Sequence, residues 1–572
     1  MIVKIISRGY QAPGKTWAVI LLSLCLCVFT LSACGAGVAA KKVDAVTTTS
    51  TTLAAQGSVS FPVPGIPSNF NPNTPDGSSL TTREIMSQVW PSAFYQNSKY
   101  QNVLNAGLLD GAELISTQPE TIVYRINPKA KWSNGIPISA ADFIYNWRAQ
   151  SGNRAHLDVT GLPYLASSNV GYSDIKSVVG SNHGKTVTVV FKKPFSEWEQ
   201  LFRFLVPSKL GSEVGWNEGF VTPSPRVEVS GGPYRFAGYI PGHQLELVRN
   251  PLYWSTPASI PVIRFVVNPN PGTYPSELQN GTLGLLQTSF HGVLYSDIQS
   301  VVGVKSDLVP SLVTQELIFN LKNKFLSDLK VRQAILLAID RQKIAYDAIG
   351  AFVPNASSAG NNIFSPGTPQ YHNDGALFDA SNPTKAIALL GSDGYHLSAK
   401  GVLEKQGVPL DLTIAVDQSN HQLLMVEQVV ERELQSIGIQ VKQANVSAGV
   451  LEGSLLPKGR YDMAIVGQSG SPNAAFGGSR YYQSGSPLNY TGFKNSEADK
   501  LITEAREQLD PGTSVQIYNQ LDALIWKELP SVPLYSSPDI LAFQSGYNFI
   551  GSSSASSTIF WNANNWKFVP PS

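Results

Sequence analysis

The sequence predicts an α/β protein built as two lobes with mixed sheets. Three observations lead there. The chain has 572 residues, well beyond the roughly 250–300 that one hydrophobic core serves, so more than one core is needed. Hydrophobic residues make up 42% and charged residues only 15%, the balance of a packed globular chain rather than a disordered or coiled-coil one. After about residue 310, strand-like and helix-like periodicities alternate, and strand–helix–strand units require a partly parallel sheet with right-handed crossovers. The first half is richer in strands.

The N-terminal residues stand apart. GYQAPGKT, Gly9–Thr16, fits the G-x-x-x-x-G-K-[ST] pattern of a phosphate-binding loop. Such a loop needs a buried strand before it and a helix N-terminus after it. Here only MIVKIISR precedes Gly9, and Trp17–Cys34 is apolar and uncharged, with Lys4, Arg8 and Lys15 ahead of it. A basic segment followed by a short apolar core is a secretory signal peptide, too short for a membrane span of about 20 residues. The nucleotide-binding pattern is therefore a chance match, and residues 1–33 are expected to be removed.

Leu31-Ser32-Ala33-Cys34-Gly35 resembles the bacterial lipobox. The resemblance implies cleavage before Cys34 and lipidation of its thiol, with more than one acyl chain, enough for a stable anchor. The alternative is an ordinary small-residue cleavage site. Residues 34–57, small, polar and threonine-rich, read as a flexible tether to the outer face of the cytoplasmic membrane. The three cysteines are Cys25, Cys27 and Cys34, so the exported chain has no disulfide and no other thiol chemistry. The net charge is +1, and the leader holds three basic and no acidic residues. Its removal leaves no basic field for nucleic acid.

The elements follow in order. Val59 and Phe61 alternate in an edge strand that breaks into Pro, Asn and Gly. Ile85, Val89 and Trp90 share a helical face. Val123 and Tyr124 centre a strand. Ser139 and Asp142 start a helix that ends near Gly152, because a capping serine and an acid three residues on satisfy each other's backbone donors. KTVTVVFKKP, QLELVRNPLYW and PVIRFVVNP are strands. LKVRQAILLAIDRQKI reads as one long helix with Val331, Ile335, Leu336 and Ile339 on one face. A short helix follows at NPTKAIALLGSDGY, then the strand PLDLTIAVD. HQLLMVEQVVERELQSIGIQVKQ is a helix, a glycine stop and a returning strand. SEADKLITEAREQL and SVQIYNQLDALIWKEL are paired helices.

Four stretches in fixed order then identify a family. They are WSNGIPISAADF (Trp132–Phe143); GGPYRF (Gly231–Phe236) with RNPLYW (Arg249–Trp254); FNLK (Phe319–Lys322) with LKVRQAILLAIDR (Leu329–Arg341); and NYTGFKNSEAD (Asn489–Asp499) with ELPSVPLY (Glu528–Tyr535). Together they resemble the extracellular solute-binding proteins of the peptide/nickel type that feed ABC importers. The motif residues are structural: Gly231 and Gly232 relax the backbone before Pro233, Asp142 caps a helix, and Arg332 and Asp340 can form scaffold ion pairs.

The resemblance implies a two-lobed periplasmic-binding-protein-like fold of type II, with three subdomains, mixed sheets and a hinge. Lobe one would be residues 58–308 and 532–572, with an inserted subdomain at about 90–224; lobe two would be 309–531. It further implies a monomer that closes on a small, peptide-like solute and passes it to ABC permease subunits, without catalysis or cofactor. An exported hydrolase and a ligand-sensing receptor on the same fold are the alternatives.

Family members hold ligand with the loop after the first strand, here Asn69, Phe70 and Asn71, and with a loop after a Tyr-Asp strand, here the loop following Tyr461. Many peptide-binding members carry a Trp and an Asp in that second loop. This chain has Gly467-Gln468-Ser469-Gly470-Ser471-Pro472 instead. Gln468, Ser469 and Gly470 can hydrogen-bond a polar solute, and Arg480 can meet a carboxylate. Trp90, Tyr95 and Tyr482 can supply apolar faces. No G-x-S-x-G elbow occurs, and the seven histidines are never at metal-ligand spacing. Neither a catalytic residue nor a metal ligand is expected.

Overall fold

The computed structural model describes residues 57–222, 226–548, 550–551 and 558–569. The expected leader and lipidated Cys34 lie outside the described residues, as does the tether up to Gln56. All described residues belong to one unit, Thr51–Ser572. Among them no helix is long and apolar enough to cross a membrane.

The fold is two-lobed α/β, and its two large hydrophobic cores take different parts of the chain. The first gathers residues from Val59 to Phe265 and the C-terminal Ile559–Trp566. Two four-stranded sheets feed it. In one, the edge strand Val59–Val63 runs parallel to Val262–Val267, followed by Gln244–Arg249 and Tyr234–Ile240. The other is antiparallel, in the order Leu109–Thr117, Glu120–Ile126, Thr186–Phe191, Ile175–Ser181. The two-residue period of Thr186–Phe191 turns Val187, Val189 and Phe191 inward. Helix Ala140–Gln150 lies against this sheet, and the Phe143 ring packs 5.6 Å from that of Tyr124. The helix opens on the predicted capping box, in which the Ser139 N–H donates to Asp142 Oδ2 (2.9 Å).

The second core surrounds a five-stranded mixed sheet in the order Gln440–Gln443, Asp411–Ala415, Met463–Ser469, Val313–Phe319, Ser531–Ser536. Asp411–Ala415 is parallel to both its neighbours. Helix His421–Ser436 makes the crossover, and Gly438, at φ 92°, turns the chain back in a conformation glycine adopts without strain. Val313–Phe319 is antiparallel to both its neighbours, so the sheet is partly parallel, as the alternation predicts. The paired helices are Ser496–Glu507 and Pro511–Glu528.

A three-stranded sheet, Leu285–Ser289, Asp539–Gln544, Val304–Val309, lies beside the five-stranded one. The chain passes between these sheets twice, at residues 310–312 and 537–538. The passages are tied together: the Ser537 N–H donates to the Val313 carbonyl (3.3 Å), and the Thr314 and Ser536 hydroxyls lie 3.3 Å apart.

Four local expectations change. The first helix ends at Met86, so Val89 and Trp90 are buried in the turns beyond it. The long helix is two, Leu329–Ala338 and Arg341–Ile349. Asp340 breaks it by accepting from the Lys343 N–H (2.8 Å) as the N-cap of the second. Among the described residues Arg332 makes no scaffold ion pair; it donates to the carbonyls of Leu326, Glu528 and Leu529. Gly231 and Gly232 serve close approach rather than an unusual torsion. A Cβ at Gly232 would stand 2.2 Å from the Gln88 carbonyl oxygen, and one at Gly231 would stand 2.8 Å from the Trp132 ring.

Candidate ligand-binding site

A cavity of about 620 Å³ opens where the helix Leu80–Met86, the segment around Arg203, the chain passage at Pro310–Val313 and the loop after Met463–Ser469 converge. Its two walls come from opposite sides of the double passage.

On the first wall, Ser79 caps the helix by accepting from the Thr82 N–H (3.1 Å), which sets Arg83 and Glu84 at the cavity. Arg203 is placed by unusual backbone. Phe202 and Phe204, either side of it, both have left-handed torsions, at φ 56° and 48°. A non-glycine residue holds such a torsion only where its surroundings over-determine it. Here the Phe202 N–H donates to the Tyr172 hydroxyl (2.6 Å), the Phe204 N–H to Ser92 Oγ (3.0 Å), and Asn73 Nδ2 to the Phe204 carbonyl (3.1 Å). Both rings are buried.

The second wall is the end of Met463–Ser469 and the turn Gly478–Tyr481. The Tyr481 hydroxyl accepts from the Ser469 N–H (3.1 Å), folding the turn back on the strand end, and Arg480 borders the cavity beside it.

Burial shapes the charges. Desolvation lowers the Arg480 and Arg83 guanidiniums from their ordinary values. It pushes Arg203 down to about 10, with Arg83 repelling it further. All three stay cationic at neutral pH. The Glu84 carboxyl is raised by burial to about 8, against the pull of Arg83, and Asp539 by burial to about 6, although it accepts from Gln287 Nε2 (2.8 Å).

Of the sequence-predicted residues, Ser469, Gly470 and Arg480 line this cavity. Gln468 and Gly470 border a small recess beside it, with Glu316 and Asn362. Tyr95 lines a separate pocket of about 250 Å³, its ring stacked 6.0 Å from that of Trp561. The other five are buried in protein contacts. Asn69 Nδ2 donates to the Asn217 carbonyl and Asn71 Nδ2 to the Trp216 carbonyl, each at 3.1 Å. Phe70 packs edge-on against Phe236, and Trp90 against Phe220. The Tyr482 hydroxyl donates to Glu316 Oε2 (3.2 Å). Arg83, Glu84, Arg203, Tyr481 and Asp539 were not anticipated. The legible signal for Arg203 was a single cation inside the apolar run LFRFLVP. Among the described residues no group of three His, Cys, Asp or Glu side chains is placed to hold a metal ion.

Residues 104–490 match the family model of bacterial extracellular solute-binding proteins, family 5 Middle. The chain belongs to this family. It is similar to the oligopeptide-binding protein OppA of Mycobacterium tuberculosis, strain H37Rv, at 26% identity over 559 residues, covering 93% of this chain and 91% of that one. Among solved structures, the periplasmic EDTA-binding protein EppA superposes with a TM-score of 0.83 at 24% identity, covering 90% of this chain and 97% of that one. AppA from Bacillus subtilis, in complex with a nonapeptide, gives a TM-score of 0.72 at 20% identity, covering 90% and 99%. At these identities the structural likeness is one of fold.

Proposed function

We propose that this chain is a lipid-anchored receptor that captures an oligopeptide-like or other polar solute outside the cytoplasmic membrane and hands it to an ABC permease. It does so by closing two lobes, without chemistry on the solute. The lobes are residues 58–309 with 539–572, including the insertion at about 90–224, and residues 313–536; the expected boundary at 531/532 moves because Ser531–Ser536 is an edge strand of the five-stranded sheet. They pivot at 310–312 and 537–538. Cys34 carries the acyl chains, residues 34–57 are the tether, and the receptor acts as a monomer. Ser469, Gly470 and Arg480 from one lobe meet Arg83 and Arg203 from the other across the solute, while Gln468 and Tyr95 act from adjoining recesses.

The observation that carries this reading is the cavity itself, whose walls belong to opposite sides of a two-strand passage. Closure there buries solute between lobes, the usual place for such a site. Membership of a solute-binding family and the name of the mycobacterial relative support it. The test is mass spectrometry of solute released when the purified protein is denatured, paired with X-ray scattering before and after the solute is added back. A released solute that returns intact and makes the particle more compact is the expected result. A chemically altered solute or an unchanging particle rejects it. Palmitate labelling that persists in Cys34→Ala would reject the anchor.

A further inference from the structure

We infer that the cleft selects a small solute bearing at least two oxyanion groups, carboxylate or phosphate, held by Arg83 and Arg203 on one wall and Arg480 on the other. This rests on the receptor reading above and names the solute's chemistry.

Three guanidiniums border one cavity, and the partners of two of them, Arg83 and Arg480, set those two apart from the chain's other shielded arginines. Arg341 is paired with Asp379 and Arg506 with Asp174, while Arg332 is saturated by carbonyls. Arg83 donates only to the Ser78 carbonyl among the contacts described (3.3 Å), and the Arg203 guanidinium lies 5.5 Å from the Phe204 ring. Among the described residues no carboxylate forms a salt bridge with Arg83 or Arg480. A shielded cation without a counter-ion costs free energy, and an anion entering the cleft removes that cost.

The two carboxyls on the walls offset the three cations only in part. Glu84, raised to about 8, is protonated over most of the neutral range; Asp539, raised only to about 6, is ionised there and offsets one of the three cations, so the field in the cavity remains positive. Guanidinium donors match carboxylate and phosphate in forked geometry. Hydroxyls of Ser167, Ser168, Tyr172 and Ser311 line the same space and can complete the oxyanion shells. At roughly 30 Å³ per water-sized unit, 620 Å³ accommodates a solute of about twenty heavy atoms. A peptide's free amino group would meet this field unfavourably, so a peptide ligand must carry acidic side chains.

The test is calorimetric titration of the full-length chain, purified in detergent, with trialanine, trilysine, triglutamate, citrate and pyrophosphate, and the same titrations on Arg480→Met and Arg203→Lys. At least one anionic compound is expected to bind about tenfold or more tightly than trialanine, with no binding of trilysine. Either substitution weakens it about 10- to 100-fold, the worth of a charge-assisted hydrogen bond. Citrate against pyrophosphate decides between carboxylate and phosphate. Arg480 sits on a turn rather than in a core, so Arg480→Met keeps the test usable if Arg203→Lys fails to fold. Trialanine or trilysine binding as tightly as the anions, or anion binding unchanged in Arg480→Met, overturns the inference and leaves the receptor reading standing. If no compound binds, the solute released on denaturation decides: two or more negative groups support the inference, and any other solute overturns it. Release of no solute, with no compound bound, overturns both.

Discussion

Glu197 and Ala475, 278 residues apart in the chain, are joined by a hydrogen bond of 3.0 Å from the Ala475 N–H to Glu197 Oε1. Neighbouring contacts reinforce the join. The Ser196 N–H donates to the Arg506 carbonyl (2.8 Å), Arg506 pairs with Asp174 (3.3 Å), and the Phe195 and Phe476 rings lie 5.9 Å apart. Burial raises the Glu197 carboxyl to about 7, although Ala475, Arg506 and Ala474 pull it down. If the two sides part, this carboxyl is hydrated and returns toward its ordinary value. The joined form therefore binds the proton more tightly and is favoured below the ordinary carboxyl range. That advantage is lost as pH rises through about 7. Scattering should show a more open particle at pH 8.5 than at pH 5.5, and Glu197→Gln should abolish the difference.

Glu316 should weaken the fold at alkaline pH. It is buried on Val313–Phe319, accepts from the Tyr482 hydroxyl, and is raised to about 8 by desolvation. A carboxyl raised on folding contributes its full stability below its unfolded value and loses it as pH climbs through the folded one. Glu316→Gln keeps a side-chain acceptor for Tyr482 and removes the buried charge. It should match the parent near pH 4.5 and gain about 2 kcal/mol by pH 9 in urea unfolding.

Arg341 should be a stability residue with no role in binding. Its side chain is fully buried, donates to the carbonyls of Pro533, Gly375 and Ala359, pairs with Asp379, and lies 4.9 Å from the Trp526 ring centroid. Arg341→Met leaves those acceptors unpaired and should cost about 3 kcal/mol or more, read as a lowered unfolding midpoint. Lysine, which cannot reproduce the planar fork, should recover little.

Asn71 separates a structural from a ligand-binding role for the loop after the first strand. Its amide donates to Trp216 and its carbonyl oxygen accepts from the Asn73 N–H (3.2 Å). Asn71→Ala should lower stability by about 2 kcal/mol and leave solute affinity within about twofold, measured below the variant's melting range. A large loss of affinity without a loss of stability would return Asn71 to the site.

Much of this fold is legible from the residues because its signals are local. Ser139 and Asp142 mark a helix start within four positions, Thr186–Phe191 alternates with a two-residue period, and His421–Ser436 carries its own glycine stop. The break at Asp340 was missed because the apolar spacing of Val331, Ile335 and Ile339 runs up to it without interruption. Yet an aspartate directly before Arg341 is an N-cap signal in plain sight. The cavity is less legible, because partners distant in sequence decide who faces it. Asn69 and Asn71 have the chemistry of ligand contacts, but carbonyls at Asn217 and Trp216 already occupy their amides. Arg203 looks like a stray charge among phenylalanines until Tyr172, Ser92 and Asn73 are seen gripping the backbone around it.

The left-handed pair Phe202 and Phe204 makes the two sides of the cleft unequal in what mutation can do to them. Valine or isoleucine at either position would add a forked Cβ to an already crowded torsion, so drift around Arg203 meets a steep penalty. Gly478–Tyr481 imposes no positive torsion on Arg480. A lineage carrying this scaffold would therefore diversify its diet by rewriting the turn around residue 480, keeping the Phe-Arg-Phe wall as inherited furniture.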